Sequence, residues 1–154
     1  MQLQPGMPAP AFTLPTTTGK EVSLEGLRGQ AIILYFYPKD DTETCTKQAC
    51  AFRDAMPRFK KLDALVLGIS PDSVQSHEKF RKKYKLPFIL LADEGHAITE
   101  RYGVWKEKSM YGRTYMGVER TTFIIDPRST ITHVFPKVRV KGHVDRLAEA
   151  LQSL

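Results

Sequence analysis

Residues 31–37, Ala-Ile-Ile-Leu-Tyr-Phe-Tyr, run apolar without interruption until Pro38 closes them. A half-exposed strand alternates apolar and polar side chains, whereas a strand buried on both faces does not. The segment 30–37 therefore predicts a strand at the middle of a sheet, and such a sheet needs cover on both sides. Further apolar runs at 65–70 and 88–91 are separated by helical patterns. In 44–61, Ala49, Phe52, Met56 and Phe59 recur at spacings of three and four, forming an apolar stripe. Pro57 falls within it and predicts a kink or break near Met56. Pro71-Asp72-Ser73 opens a basic amphipathic helix reaching residue 84, and a short helix is expected at 97–102.

The ends of the chain read differently. Residues 5–10 suggest an extended arm, and 12–14 and 21–24 flank a glycine-containing turn, predicting a hairpin. Strands at 121–125 and 131–135 flank Asp126-Pro127-Arg128-Ser129, a connection too short for a parallel crossover, so they add an antiparallel edge. Val144, Leu147, Leu151 and Leu154 mark a closing helix. With no repeat or linker, the expectation is one α/β domain over residues 1–154, built on a mixed sheet flanked by helices.

The net charge of +6 raises the question of nucleic acid. The densest basic stretch, residues 79–85, reads instead as a solvated helix face, and no nucleic-acid motif accompanies it. The longest apolar run is far short of the roughly 20 residues of a membrane span. The N-terminus lacks the basic and apolar regions of a signal peptide. The expectation is a soluble intracellular protein.

Cys45 and Cys50 are the only cysteines, and Cys45 falls where the first long helix should begin. Three readings compete. Both thiols can be inert core residues. A zinc site is weakly supported, because His77, His96, His133 and His143 are dispersed and each reads as a surface residue. The third reading is a redox pair. Five positions on one helix mean a rise of about 7.5 Å and a rotation of about 140°. The Cα atoms are then roughly 8–9 Å apart, beyond the range of about 4.4–6.8 Å that a disulfide tolerates. A bond between them requires the helix start to unwind, which disfavours a permanent cross-link and suits a switchable one. A helix N-terminus and a nearby cation would favour the thiolate at Cys45. Lys39 and Lys47 are candidates, though an arginine brought in by the fold would be the more rigid partner.

The stretch Tyr35-Phe36-Tyr37-Pro38-Lys39 followed by Thr42-x-x-Cys45 resembles the P-x-x-x-[TS]-x-x-C signature of peroxiredoxins. Cys50 resembles the second cysteine of their bacterioferritin comigratory protein branch, or Q type. The likeness continues in order through Pro8-Ala9-Pro10-Ala11-Phe12, Val66-Leu67-Gly68-Ile69-Ser70, Leu90-Leu91-Ala92-Asp93, Tyr102-Gly103-Val104-Trp105 and Arg120-Thr121-Thr122-Phe123-Ile124-Ile125-Asp126.

The resemblance implies a thioredoxin-like fold and a peroxidase acting on hydrogen peroxide and organic hydroperoxides without metal, haem or flavin. Cys45 would be the peroxidatic nucleophile, shielded by Pro38. The Thr42 hydroxyl would bond the peroxide and the sulfur, and Arg120 would stabilise the thiolate and the breaking O–O bond. Cys50 would resolve the Cys45 sulfenic acid to an intramolecular disulfide, with thioredoxin as reductant and a cytoplasmic monomer as the working form. Many relatives carry Pro-Gly where this chain has Glu43-Thr44, and Glu43 is expected to face solvent. Trp105 is read as packing. The rivals are a thioredoxin-like disulfide reductase, which the absence of C-x-x-C disfavours, and a basic binding module with two idle thiols. If the helical spacing is decisive, amides around 45–50 exchange faster with solvent deuterium in the disulfide form than in the dithiol form. Equal protection contradicts the unwinding.

Overall fold

A computed structural model describes residues 2–154. The N-terminal hairpin forms as expected, with β1 (Thr13–Pro15) antiparallel to β2 (Glu21–Ser23) and Leu14 opposite Val22. Gly19, at φ +81°, allows the turn between them. The apolar run becomes β3 (Ala31–Phe36), buried at every position. It is followed by α1 (Glu43–Lys61), β4 (Ala64–Ser70), α2 (Val74–Tyr84), β5 (Ile89–Ala92) and α3 (Ala97–Arg101). After these come β6 (Trp105–Met110), β7 (Arg113–Val118), β8 (Thr121–Ile125), β9 (Ile131–Phe135) and α4 (His143–Gln152).

The central sheet has the order β5-β4-β3-β8-β9. Strands β3, β4 and β5 are parallel, while β8 is antiparallel to both β3 and β9. The mixed sheet flanked by helices is the thioredoxin-like architecture that the resemblance implied. The closing hairpin supplies more than an edge, because β8 sits inside the sheet beside β3.

The pleat of β3 divides the core. Ile33, Tyr35 and Tyr37 join Phe52, Phe59, Phe80 and Leu147 on the side of the long helices. Ile32, Leu34 and Phe36 join Phe12, Ile98, Tyr102 and Phe123 on the other side. Tyr35 stacks on Phe52 at 4.5 Å between ring centroids. Gly68 of β4 is required beside it, because a Cβ there would lie 2.9 Å from the Tyr35 hydroxyl and 2.8 Å from Leu90.

Helix α1 corrects one expectation, since it runs through Pro57 without a break. A proline inside a helix costs about 3 kcal/mol or more. Phe52, Met56 and Phe59, on either side of it, are all buried, and each such side chain contributes about 1.5–3 kcal/mol. Packing on the sheet therefore outweighs the lost hydrogen bond. The basic face of α2 is solvated at Lys79, Lys82 and Lys83, with Ser73 capping the helix by accepting from the Ser76 amide at 3.1 Å.

The β6–β7 hairpin has no counterpart in the sequence reading. Its strands are too polar to show a buried face, and its signal is the turn Tyr111-Gly112, where both residues have positive φ (52° and 78°).

Two of the four histidines are not surface residues, which is a second correction: His77 is 0% exposed and His143 2%. His143 Nε2 shares a 2.9 Å hydrogen bond with the Thr122 hydroxyl. Burial first, and the charge of Arg146 second, hold its pKa down to about 4. An unfolded histidine titrates near 6.5, so between these values the unfolded chain binds the extra proton and the native state does not. Stability then rises with pH across that window and is lost as pH falls from about 6.5 towards 4. The denaturation midpoint should fall more steeply between pH 7 and 5 in the wild type than in His143→Gln. Parallel profiles contradict this.

Candidate active site

Strand register assembles the site. Phe36, the last residue of β3, pairs with Thr121, the first of β8. Arg120 thus arrives level with Tyr37, where the chain leaves the sheet for α1. Cys45, the third residue of α1, is 2% exposed. Arg120 Nη2 donates to Cys45 Sγ at 3.3 Å, and Nη1 donates to Gln48 Oε1 at 2.6 Å. The rigid cation is therefore an arginine delivered by the fold, while Lys47 is occupied by Glu43 at 3.3 Å on the exposed surface. Glu43 faces solvent as expected.

Gln48 was not singled out from sequence. It lies one turn beyond Cys45, so both side chains share a helix face, and it is 1% exposed. Its i+3 spacing from Cys45 was the available signal. Because a guanidinium only donates, the amide oxygen must face Arg120, which braces the fork against the sulfur.

Thr42 occupies the N-cap position of α1 but does not cap it. Its hydroxyl donates to the Lys39 carbonyl at 2.9 Å, which leaves the oxygen lone pairs free to accept. The first helical bond runs from Thr46 N to Thr42 O at 2.9 Å. The amides of the preceding turn therefore have no helical partner, and with the helix dipole they favour an anion at this end. Pro38 is half-buried at the start of the loop. Cys50 is a half-buried free thiol on the same helix.

Lys108, on β6, is a second cation absent from the sequence reading. Its stem lies along Gly117, where an added Cβ would meet Lys108 Cδ at 3.4 Å. Burial, then the charge of Arg120, lower its pKa, and Cys45 opposes that shift. It could be located only once the hairpin register was known. Trp105 stacks on His96 with centroids 4.0 Å apart and serves packing.

An enclosed thiol at a helix start, facing a braced guanidinium, is equipped for nucleophilic attack on a small electrophile. Comparison with known proteins agrees. The family model described as AhpC/TSA matches residues 5–134, and the chain belongs to that family. Within it, the chain is a peroxiredoxin of the bacterioferritin comigratory protein or Q-type branch. It is 52% identical over 144 residues to a Coxiella burnetii relative carrying the bcp name, covering 94% of this chain and 95% of that one. It is 47% identical over 154 residues to peroxiredoxin Bcp of Bacillus subtilis, covering 100% and 96%. The solved Xanthomonas campestris peroxiredoxin Q superposes with a TM-score of 0.88 at 37% identity, covering 92% and 90%.

If Arg120 and its brace favour the Cys45 thiolate, then in a Cys50→Ser background Arg120→Met should slow alkylation of Cys45 at pH 7 by about tenfold or more. Gln48→Ala should slow it by about threefold, the loss of one charge-assisted hydrogen bond being felt indirectly. Unchanged alkylation rates in both variants contradict the arrangement.

Proposed function

We propose that this chain is a thiol-dependent peroxidase reducing hydrogen peroxide and alkyl hydroperoxides, working as one domain over residues 1–154. The observation that carries the reading is the Arg120 guanidinium 3.3 Å from Cys45 Sγ, itself held by Gln48. A solved Xanthomonas campestris relative, 37% identical, is described in terms of its alkyl peroxide reduction activity, which supports the same substrate class here.

In this reading the Cys45 thiolate attacks the terminal peroxide oxygen. The O–O bond breaks, and the departing oxygen takes a proton to leave as water or an alcohol, with Cys45 oxidised to a sulfenic acid. Thr42 accepts a hydrogen bond from the peroxide, and Arg120 stabilises charge on the separating oxygens. Pro38 limits water access. The Cys50 thiolate then attacks the sulfenic sulfur, water leaves, and a Cys45–Cys50 disulfide forms. A dithiol protein such as thioredoxin restores both thiols by exchange. Because both cysteines lie on one chain, the cycle runs in a monomer. A reducing cytoplasm suits two free thiols, and no helix among the described residues is long and apolar enough to cross a membrane.

A disulfide reductase would share the fold but use a C-x-x-C pair, and it has no need of an arginine on the nucleophile. Cys45→Ser should abolish peroxide consumption. Cys50→Ser should allow a single turnover that leaves a sulfenic acid trappable by dimedone. Undiminished multiple turnover in both variants refutes the assignment.

A further inference from the structure

The loop between Pro38 and Thr42 carries two of the site residues. Apart from the Thr42 carbonyl, which accepts from Thr46 N of α1, its side-chain anchors go to a different helix from the one that carries Cys45. Asp40, 7% exposed, is held from several sides. Its Oδ1 accepts from the Tyr37 hydroxyl at 2.6 Å, and its Oδ2 accepts from Ser76 Oγ at 2.8 Å. Its backbone amide donates to Asp72 Oδ2 at 2.8 Å. His77 Nδ1 lies 2.7 Å from Asp40 Oδ2, and its ring is 0% exposed. The next residue, Asp41, adopts a left-handed φ of 58° and is held by Lys83 and Tyr84 at 2.8 and 2.7 Å. Ser76, His77, Lys83 and Tyr84 all belong to α2.

The proton count in this cluster follows from geometry. His77 Nε2 lies 2.9 Å from the Leu91 carbonyl, an acceptor only, so Nε2 must carry a hydrogen. In a neutral ring Nδ1 would then present a lone pair to a carboxylate oxygen 2.7 Å away. The contact is attractive only with a proton between the two atoms. Tyr37 and Ser76 already donate to the same carboxylate. Asp40, Asp72 and His77 also place potential metal-ligating atoms within 4.8 Å of one another. Both ring nitrogens of His77 are committed to hydrogen bonds, however, so the cluster is a proton-bridged clamp and not an ion site.

We propose that Asp40 and His77, bridged by one buried proton, are positioning residues that anchor the 38–42 loop to α2 independently of α1. The start of α1 can then open for the disulfide while Pro38 and Thr42 stay in place, ready for the next peroxide. The geometry permits this division. Three residue steps lead from Thr42 to Cys45, and fully extended they span about 10 Å. The few ångströms needed to bring Cys45 to Cys50 can come from residues 43–45 without moving Asp40. The proposal rests on Cys45 being the peroxide nucleophile.

The test separates the two chemical steps. In Asp40→Ala and His77→Gln, the reaction of reduced protein with hydrogen peroxide should slow by about tenfold or more, while disulfide formation from the sulfenic acid stays within about twofold. Asp40→Asn should recover most of the peroxide rate, because its amide can donate to Nδ1 of a neutral His77 and still accept from Tyr37. Unaltered peroxide rates, or both steps slowed equally as by general loss of structure, overturn the proposal. Hydrogen exchange on reduced protein without peroxide reads the clamp alone. Amides 39–42 should exchange about tenfold faster in Asp40→Ala with β3 and β4 unchanged, and unchanged loop exchange overturns it. A wild type inert to peroxide with a loop loosened in the variant would indict the reading of Cys45 instead.

Discussion

The pairing of β3 with β8 is the constraint on which the rest of the site depends. Phe36 opposite Thr121 places Arg120, whose guanidinium bonds Cys45, at the sheet end where α1 begins. A slip of one residue would exchange the two buried faces of β8 and carry Arg120 away. Such a slip is opposed by both cores, because Phe123 and Ile125 pack on one side of the sheet and Ile124 on the other. The electrostatics at the sulfur are thus underwritten by hydrophobic packing well away from it.

A second constraint acts against the first. Packing favours an intact α1, with Ala49, Phe52 and Phe59 fully buried, whereas a bond between Cys45 and Cys50 needs the first turns of that helix undone. Opening them costs on the order of 1 kcal/mol per helical hydrogen bond lost, together with the Arg120 contact. Cys45 is buried but lies in the first turn of the helix, while the apolar anchors begin at Ala49. The opening can therefore remain local. In the proposed cycle the protein alternates between a folded dithiol form that fits peroxide and an opened form that fits the disulfide, with its loop held by α2 throughout.

Much of this was legible in the chain. Unbroken apolar runs revealed the parallel strands, the apolar stripe from Ala49 to Phe59 revealed α1, and the proline–threonine–cysteine spacing with a distant arginine pointed to the site. What escaped has physical causes. Pro57 suggested a break because local preference ignores the packing on both sides of it. The β6–β7 hairpin escaped because solvated strands carry no apolar alternation, and Lys108 escaped with it. Gln48 matters only through Arg120, 72 residues away, and the burial of His77 only through Asp40, 37 residues away. Periodicity registers how a segment meets the core, and it is silent on which polar groups meet each other.

The claim that most needs testing is that a sulfur held by Arg120 cleaves an oxidant and is captured by its neighbour along the helix. Intact mass of the reduced protein after one equivalent of hydrogen peroxide addresses it directly. A mass lower by two hydrogens, with no dimer formed, is the predicted result. An unchanged mass with the peroxide unconsumed would contradict the account.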